Sequence, residues 1–174
     1  VNTPIFMKIN SKSYFKDVVK KLGLPFFIKP SNSGSSLGIS KICKENQFYK
    51  AFQEAFKIDS EVIAEAMVDG REFTLPILNN MTLSVVEICT KTDFYDYEAK
   101  YHRVDTDFIC PTDLSQSVIK KIKKLSLDSF KILGCSGWGR IDMMIDKNGK
   151  IFFIEANTIP GMTSHSLVPL SAKN

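Results

Sequence analysis

The chain has 174 residues, 44% of them hydrophobic and 24% charged, with 9 Gly and 7 Pro. Disordered, collagen-like and low-complexity classes are thereby excluded, which leaves a globular protein of one domain or two small lobes. The 23 basic and 19 acidic residues give a net charge of +4 spread along the chain, a balance that suits a phosphate-bearing small ligand and gives no reason to expect a nucleic-acid partner.

Cys43, Cys89, Cys110 and Cys135 match neither a CxxC zinc pattern nor a dense disulfide framework, so reduced, buried thiols are expected. No stretch approaches the ~20 apolar residues of a membrane span, and Val1 to Asn10 lacks the pattern of a signal peptide. A cytoplasmic protein without a membrane partner is expected. A start at Val1 and an abrupt stop at Asn174 suggest a fragment of something longer.

In chain order, Ser13 to Leu22 predicts a short helix, and Pro25 to Lys29 an apolar strand that stops at Pro30. The Ser/Gly-rich run Ser31 to Gly38 leads into a strand over Ile39 to Cys43. From Asn46, the residues Phe48, Phe52, Ala55 and Phe56 recur at helical spacing as far as Ile58. Strands follow at Val62 to Ala66, Glu72 to Leu78 and Leu83 to Cys89, then an irregular aromatic stretch from Thr90 to Pro111. Ser115 is the expected N-cap of the longest helix, with Ile119, Ile122, Leu125, Ser129 and Ile132 as its stripe and Gly134 as its stop. Trp138 to Ile145, Asn148-Gly149 and Ile151 to Asn157 predict a hairpin closed by a type I′ turn. The fold class is α+β with mostly antiparallel hairpins, in two parts at about 1–71 and 72–174.

With Asn148 and Gly149 as a two-residue turn, paired positions sum to 297, so Asp142 faces Glu155, Arg140 faces Asn157, and all four share a face. Like charges directly opposite one another are destabilising, and a cation removes the conflict. Two carboxylates and an amide oxygen are hard donors suited to Mg²⁺ or Mn²⁺ bridging phosphates. The plainer alternative is a half-exposed hairpin with a polar solvent face. Lys29, at a strand end before the Ser/Gly loop, offers a point charge beside backbone N–H groups that can wrap a phosphate chain; a flexible turn is the competing reading. No P-loop or GxGxxG pattern is present. The run Pro160 to Leu167 resembles the start of a helix whose free N–H groups favour a carboxylate, or simply an N-capped helix. His102 and His165 have neither triad nor metal-site neighbours and are given no catalytic role.

Taken in order, Lys29-Pro30, Gly34 to Gly38, Glu65, Gly70-Arg71-Glu72-Phe73, Phe94 to Tyr101, Gly137 to Asp142, Glu155 to Thr158 and Pro160 to Leu167 resemble the D-alanine-D-alanine ligase family of the ATP-grasp superfamily over essentially the whole chain. The resemblance implies two α+β lobes holding ATP between them, and ligation of two D-alanines through an acyl phosphate for peptidoglycan synthesis in the cytoplasm. By position, it implies phosphate binding by Lys29 and Lys100 with Ser36 in the covering loop. Glu65 would meet the adenine amino group beside the backbone of Ala66 and Val68, and Glu72 the ribose. Phe94, Met144 and Ile154 fall in the same implied nucleotide site. Asp142, Glu155 and Asn157 match the ligands of two Mg²⁺ or Mn²⁺ ions, Arg140 and the Gly161 N–H the donors to a tetrahedral oxyanion. Ser166 and Leu167 match the contact to the second D-alanine's carboxylate, and Ser35 and Tyr101 two members of a triad that closes the pocket.

Two departures stand out. A Lys is common in the family where this chain has Ala66. The family's N-terminal domain, with the glutamate that completes the triad and a further phosphate-binding lysine, is absent from this sequence, so the fragment is expected to be inactive alone and its parent to be a homodimer. A ligase for another acid and amine, or a noncatalytic nucleotide-binding module, are the alternatives.

Overall fold

Alternation along Phe26–Pro30, with Phe26 and Ile28 inward and Phe27 and Lys29 toward the other face, builds a central strand of the first of two sheets. The computed structural model describes residues 1–33, 37–90, 106–163 and 166–174. Its contacts divide into two units. One spans Pro4–Met67 together with Thr90–Asp105; the other spans Val1–Thr3, Val68–Cys89 and Thr106–Asn174.

The first unit contains β1 (Phe6–Ile9), α1 (Phe15–Leu22), β2 (Phe26–Pro30), β3 (Ser40–Ile42), α2 (Glu45–Ile58) and β4 (Val62–Ala66). Its strands run in the order β1-β4-β2-β3, antiparallel throughout. Val18 of α1 and Phe48, Ala51, Phe52 and Ala55 of α2 are buried with Phe26, Ile28 and Ile42 of the sheet. Gln47 starts α2 by accepting from the backbone N–H groups of Cys43 and Lys44 at 2.8 and 2.9 Å, which satisfies donors that a helix start leaves open. β1 was not expected from the sequence. It is an edge strand with one buried residue, Ile9.

The second unit contains β5 (Gly70–Leu78), β6 (Met81–Thr82), β7 (Val86–Thr90), β8 (Thr106–Ile109), α3 (Gln116–Ile132), β9 (Trp138–Asp146), β10 (Ile151–Asn157) and α4 (Leu167–Ala172). The last residue of β7, Thr90, falls in the other unit. The sheet order is β10-β9-β5-β7-β8, with β6 on β5. Ser115 caps α3 as expected, its hydroxyl accepting from Val118 N–H at 3.4 Å, and Gly134 beyond the end has φ +73°. The expected stripe holds only in part. Ile122, Ser126 and Phe130 are the buried positions of α3, and Ile132 is 85% exposed. Phe130 has the largest apolar area in the last turns, and bringing it inward leaves Ser129 half-buried and turns Ile132 out.

The β9–β10 hairpin forms, but by a different turn from the one expected. Gly149 N–H donates to Asp146 O at 2.9 Å and Asp146 N–H to Lys150 O at 3.0 Å, so three residues, Lys147 to Gly149, make the turn, with Gly149 at φ +77°. Asp146 Oδ1 braces it by accepting from Asn148 and Lys150 N–H groups. Pairing therefore starts one out of step, Ile151 with Ile145 through Phe153 with Met143, and a bulge at Ile154 then restores Glu155 to Asp142, Ala156 to Ile141 and Asn157 to Arg140. The pairing deduced from a two-residue turn is correct at these three positions because the turn's extra residue and the bulge cancel. Without the bulge, Glu155 would oppose Ile141, whose side chain lies in the core; re-aiming a side chain in this way is a common use of bulges.

The four cysteines are free, but the expectation of burial is corrected: Cys43 is exposed and Cys89, Cys110 and Cys135 are half-buried. Among the described residues no helix is long and apolar enough to cross a membrane.

Candidate functional site

In the second unit, β5, β9 and β10 lie side by side and their registers align one polar face. Across β5 and β9, Glu72 opposes Met144, Thr74 opposes Asp142 and Pro76 opposes Arg140; across β9 and β10, Asp142 opposes Glu155 and Arg140 opposes Asn157. Opposite residues share a face, so Glu72, Thr74, Arg140, Asp142, Met144, Glu155 and Asn157 belong together. The other face carries Phe73, Leu75, Ile141 and Met143 into the core beneath α3.

Asp142 is 7% exposed and held from two sides. Arg140 donates through Nε to Oδ1 at 2.9 Å and through Nη2 to Oδ2 at 3.1 Å. Thr74, fully buried, donates its hydroxyl to Oδ1 at 2.5 Å. A carboxylate in this setting is desolvated but charge-compensated, which a buried charge requires. Asn157 Oδ1 accepts from Ile159 N–H at 3.2 Å, and an amide oxygen keeps a second lone pair. Glu155 is exposed. Two carboxylates and one amide oxygen on adjacent strands are the donor chemistry of Mg²⁺ or Mn²⁺. Among the described residues there is no cluster of three His, Cys, Asp or Glu, so Asn157 is needed for a third donor. Met144 and Ile154, the latter in the bulge, sit half-buried beside this face or at its margin.

Beyond β10, Gly161 and Ser166 come together: a Cβ on Gly161 would lie 2.9 Å from Ser166 Oγ. Ser166 Oγ accepts from Thr163 N–H at 3.0 Å. Ser166 is the N-cap residue of the six-residue α4 by position but makes no side-chain cap bond. The Leu167 side chain is buried in the core, which leaves its backbone for any ligand. Ser164 and His165 lie outside the described residues.

In the first unit, Lys29 Nζ is 2.7 Å from Glu65 Oε1, both side chains being mostly buried. The structure thus joins two residues that the sequence placed at separate parts of a ligand. The Ala66 N–H donates to Ile5 O at 2.8 Å. Of the loop between β2 and β3, Ser31 N–H donates to Glu61 O at 2.7 Å. Asn32 is bound through its backbone N–H and side-chain amide to Asp59 Oδ2 at 2.8 and 2.9 Å. Ser35, Ser36, Phe94, Lys100, Tyr101 and His102 lie outside the described residues. Val68 belongs to the second unit, just before β5.

Thr74 and Asp59 were missed at the level of sequence. A signal for Thr74 existed, since it follows Glu72 by two on a strand and must share its face.

The family model of the D-ala D-ala ligase C-terminus matches residues 5–174. The chain is 44% identical over 173 residues to the D-alanine-D-alanine ligase of Nitrosomonas europaea, covering 99% of this chain and 57% of that protein. It is 44% identical over 170 residues to D-alanine-D-alanine ligase B of Chromobacterium violaceum, covering 98% and 56%. Among solved structures, it is similar to VanG D-Ala:D-Ser ligase from Enterococcus faecalis, with a TM-score of 0.87, 34% identity and coverage of 99% and 52%. It is also similar to D-alanine-D-alanine ligase from Bacillus anthracis complexed with ATP, with a TM-score of 0.80, 30% identity and coverage of 99% and 55%. The chain spans about half the length of the curated relatives it matches.

Proposed function

Because the chain belongs to the D-alanine-D-alanine ligase family, matching its C-terminal region from residue 5 to 174, we propose that it supplies the nucleotide, cation and second-substrate sites of an ATP-dependent ligase that joins two D-alanines. The fold is the α+β fold of the ATP-grasp ligases that it resembles. The observation that carries the proposal is the face on which Arg140, Asp142, Glu155 and Asn157 meet through two antiparallel registers. That set suits transfer of a phosphoryl group to a carboxylate, where cations and a guanidinium offset the charge on the transferred group.

In this proposal Lys29 and Lys100 hold the ATP phosphates and Ser36 lies in the loop that covers them. An ammonium carries three donors, so Lys29 can keep its bond to Glu65 while another N–H meets phosphate. Glu65 accepts from the adenine amino group beside the backbones of Ala66 and Val68, Glu72 meets the ribose, and Phe94, Met144 and Ile154 pack against the nucleotide. Asp142, Glu155 and Asn157 would hold two Mg²⁺ or Mn²⁺ ions, which would supply charge neutralisation at the phosphates. ATP phosphorylates the first D-alanine's carboxylate, and the second D-alanine's amine attacks the acyl phosphate. Arg140 and the Gly161 N–H stabilise the tetrahedral oxyanion, Ser166 and the Leu167 backbone hold the second carboxylate, and phosphate leaves. Ser35 and Tyr101 close the pocket. We propose residues 1–71 as the phosphate-covering lobe and 72–174 as the cation and D-alanine lobe, in a cytoplasmic enzyme.

The test follows ¹⁸O from carboxyl-labelled D-alanine on the ligase that carries this region, with D-serine and D-lactate as competing second substrates. Label appearing in released phosphate, with D-alanyl-D-alanine as the main product, is the expected result. Phosphate release independent of D-alanine, or unlabelled phosphate, would overturn the proposal.

A further inference from the structure

We propose that Thr74 is a positioning residue for Asp142, its buried hydroxyl holding that carboxylate in the one orientation that serves a divalent cation. The inference rests on the reading of Asp142 as a cation ligand and adds to it a residue on a different strand. Thr74 is fully buried, directly opposite Asp142 in a ladder of nine consecutive pairs from Gly70–Asp146 to Leu78–Trp138. Its Oγ1 lies 2.5 Å from Asp142 Oδ1, against 3.4 Å from Ile141 O, so the hydroxyl proton belongs to the carboxylate. Branching at Cβ restricts χ1, and the strand fixes the backbone on which that rotamer stands.

The geometry gives the contact a purpose beyond packing. A buried carboxylate with Arg140 as its only partner could swing with that long side chain. With Thr74 on Oδ1 as well, the plane of the carboxylate is set by two partners reaching it from different strands. Three donor groups reach this carboxylate, Thr74 Oγ1, Arg140 Nη2 and Arg140 Nε, the last shared between Oδ1 at 2.9 Å and Oδ2 at 3.2 Å. An ionised carboxylate has about four lone-pair positions, so one is left for a cation. A valine in the same place would fill the same volume and fix nothing. Partners of this kind, one bond removed from the metal, typically change cation affinity by about 10- to 100-fold when lost.

The experiment measures Mn²⁺ binding to the full 174-residue chain by the electron paramagnetic resonance signal of free Mn²⁺. It compares the unmodified chain with Thr74→Val, Thr74→Ser and Asp142→Asn, each checked for fold by circular dichroism. Thr74→Val is expected to weaken binding about 10- to 100-fold, Thr74→Ser to restore it, and Asp142→Asn to abolish it. Should the valine variant not fold, Thr74→Cys, with a weak donor at the same position, takes its place with the same expected loss. Binding unchanged in Thr74→Val while Asp142→Asn loses it would overturn the role of Thr74 and leave the Asp142 site standing. Equal binding by the unmodified chain and Asp142→Asn would overturn the cation reading itself, and the Thr74 proposal with it.

Discussion

Lys29 and Glu65 are diagonal rather than opposite across β2 and β4: Glu65 stands against Phe27 and Lys29 against Ile63, yet Lys29 Nζ reaches Glu65 Oε1 at 2.7 Å. Diagonal neighbours on one sheet face are within reach of long side chains. With side-chain exposures of 18% and 13%, neither charge has much water to fall back on. Lys29→Met is expected to lower unfolding free energy by about 1–3 kcal/mol, because the mostly buried Glu65 carboxyl loses its partner. Adding Glu65→Gln should recover part of that loss. A urea-denaturation double-mutant cycle measures the coupling, and strictly additive losses would contradict it.

Gly139 on β9 has no room for a side chain. A Cβ there would lie 2.6 Å from Phe130 Cε2 and 2.9 Å from Asn157 O. Gly139→Ala should therefore destabilise by about 1–3 kcal/mol. The strain falls on the strand that carries Asn157, so Mn²⁺ binding should weaken in the same variant. An unfolding midpoint equal to that of the unmodified chain would refute this.

Asp59 ties down the stem of the Ser/Gly loop. The N–H groups of Glu61 and Asn32 hold its carboxyl below the ordinary value of 3.8. A lowered value means that the bonds contribute above the ordinary pKa and are lost as pH falls through and below it. Hydrogen exchange at the Asn32 and Glu61 amides should quicken in Asp59→Ala at neutral pH, relative to the unmodified chain. In the unmodified chain their protection should fall on acidification below about pH 4. Protection independent of both changes would remove Asp59 from this role.

Burial pushes the thiols of Cys89 and Cys110 up, and the carboxylate of Glu87 adds to the effect at Cys89. A raised value means the neutral thiol is favoured in the fold, so stability is lost as pH rises through and beyond the ordinary thiol pKa of 9.0. Thiolate is the reactive form. At pH 8, iodoacetamide should modify the exposed Cys43 before either of them, as read by peptide mass spectrometry; faster labelling of Cys89 or Cys110 would contradict the assignment.

Elements that bury a regular stripe were legible from the sequence. Val62 to Ala66 appears with the expected bounds, and α2 and β2 begin or end within a residue of theirs. β1 was missed because its burial alternates, Met7 and Ile9 inward, while its residue types do not, the apolar Phe6 being exposed; its place is given by pairing with β4. The stripe of α3 went astray at its end because Ile132 and Phe130 both satisfy a local period, and only the sheet beneath decides between them. The cation face was legible as a set of residue types, and Asp142 with Glu155 as a pair. Its internal bonds were not. Arg140 and Asp142 share a face of one strand, but nothing in the sequence says that the guanidinium turns back on that carboxylate; the bond from a threonine 68 positions earlier depends on the β5–β9 register.

The three-residue turn and the bulge at Ile154 divide the hairpin into a tip and a base with separate tasks. The alignment of Glu155 and Asn157 is decided on the base side of the bulge, against a β9 already anchored to β5 along its whole length. The tip, Lys147 to Gly149, is exposed, with Lys147 paired to Asp69 outside the hairpin. Asn148 is therefore a graft point: a short flexible peptide or a spectroscopic label introduced there would hang from the hairpin as a reporter, with the bulge between it and Glu155 and Asn157.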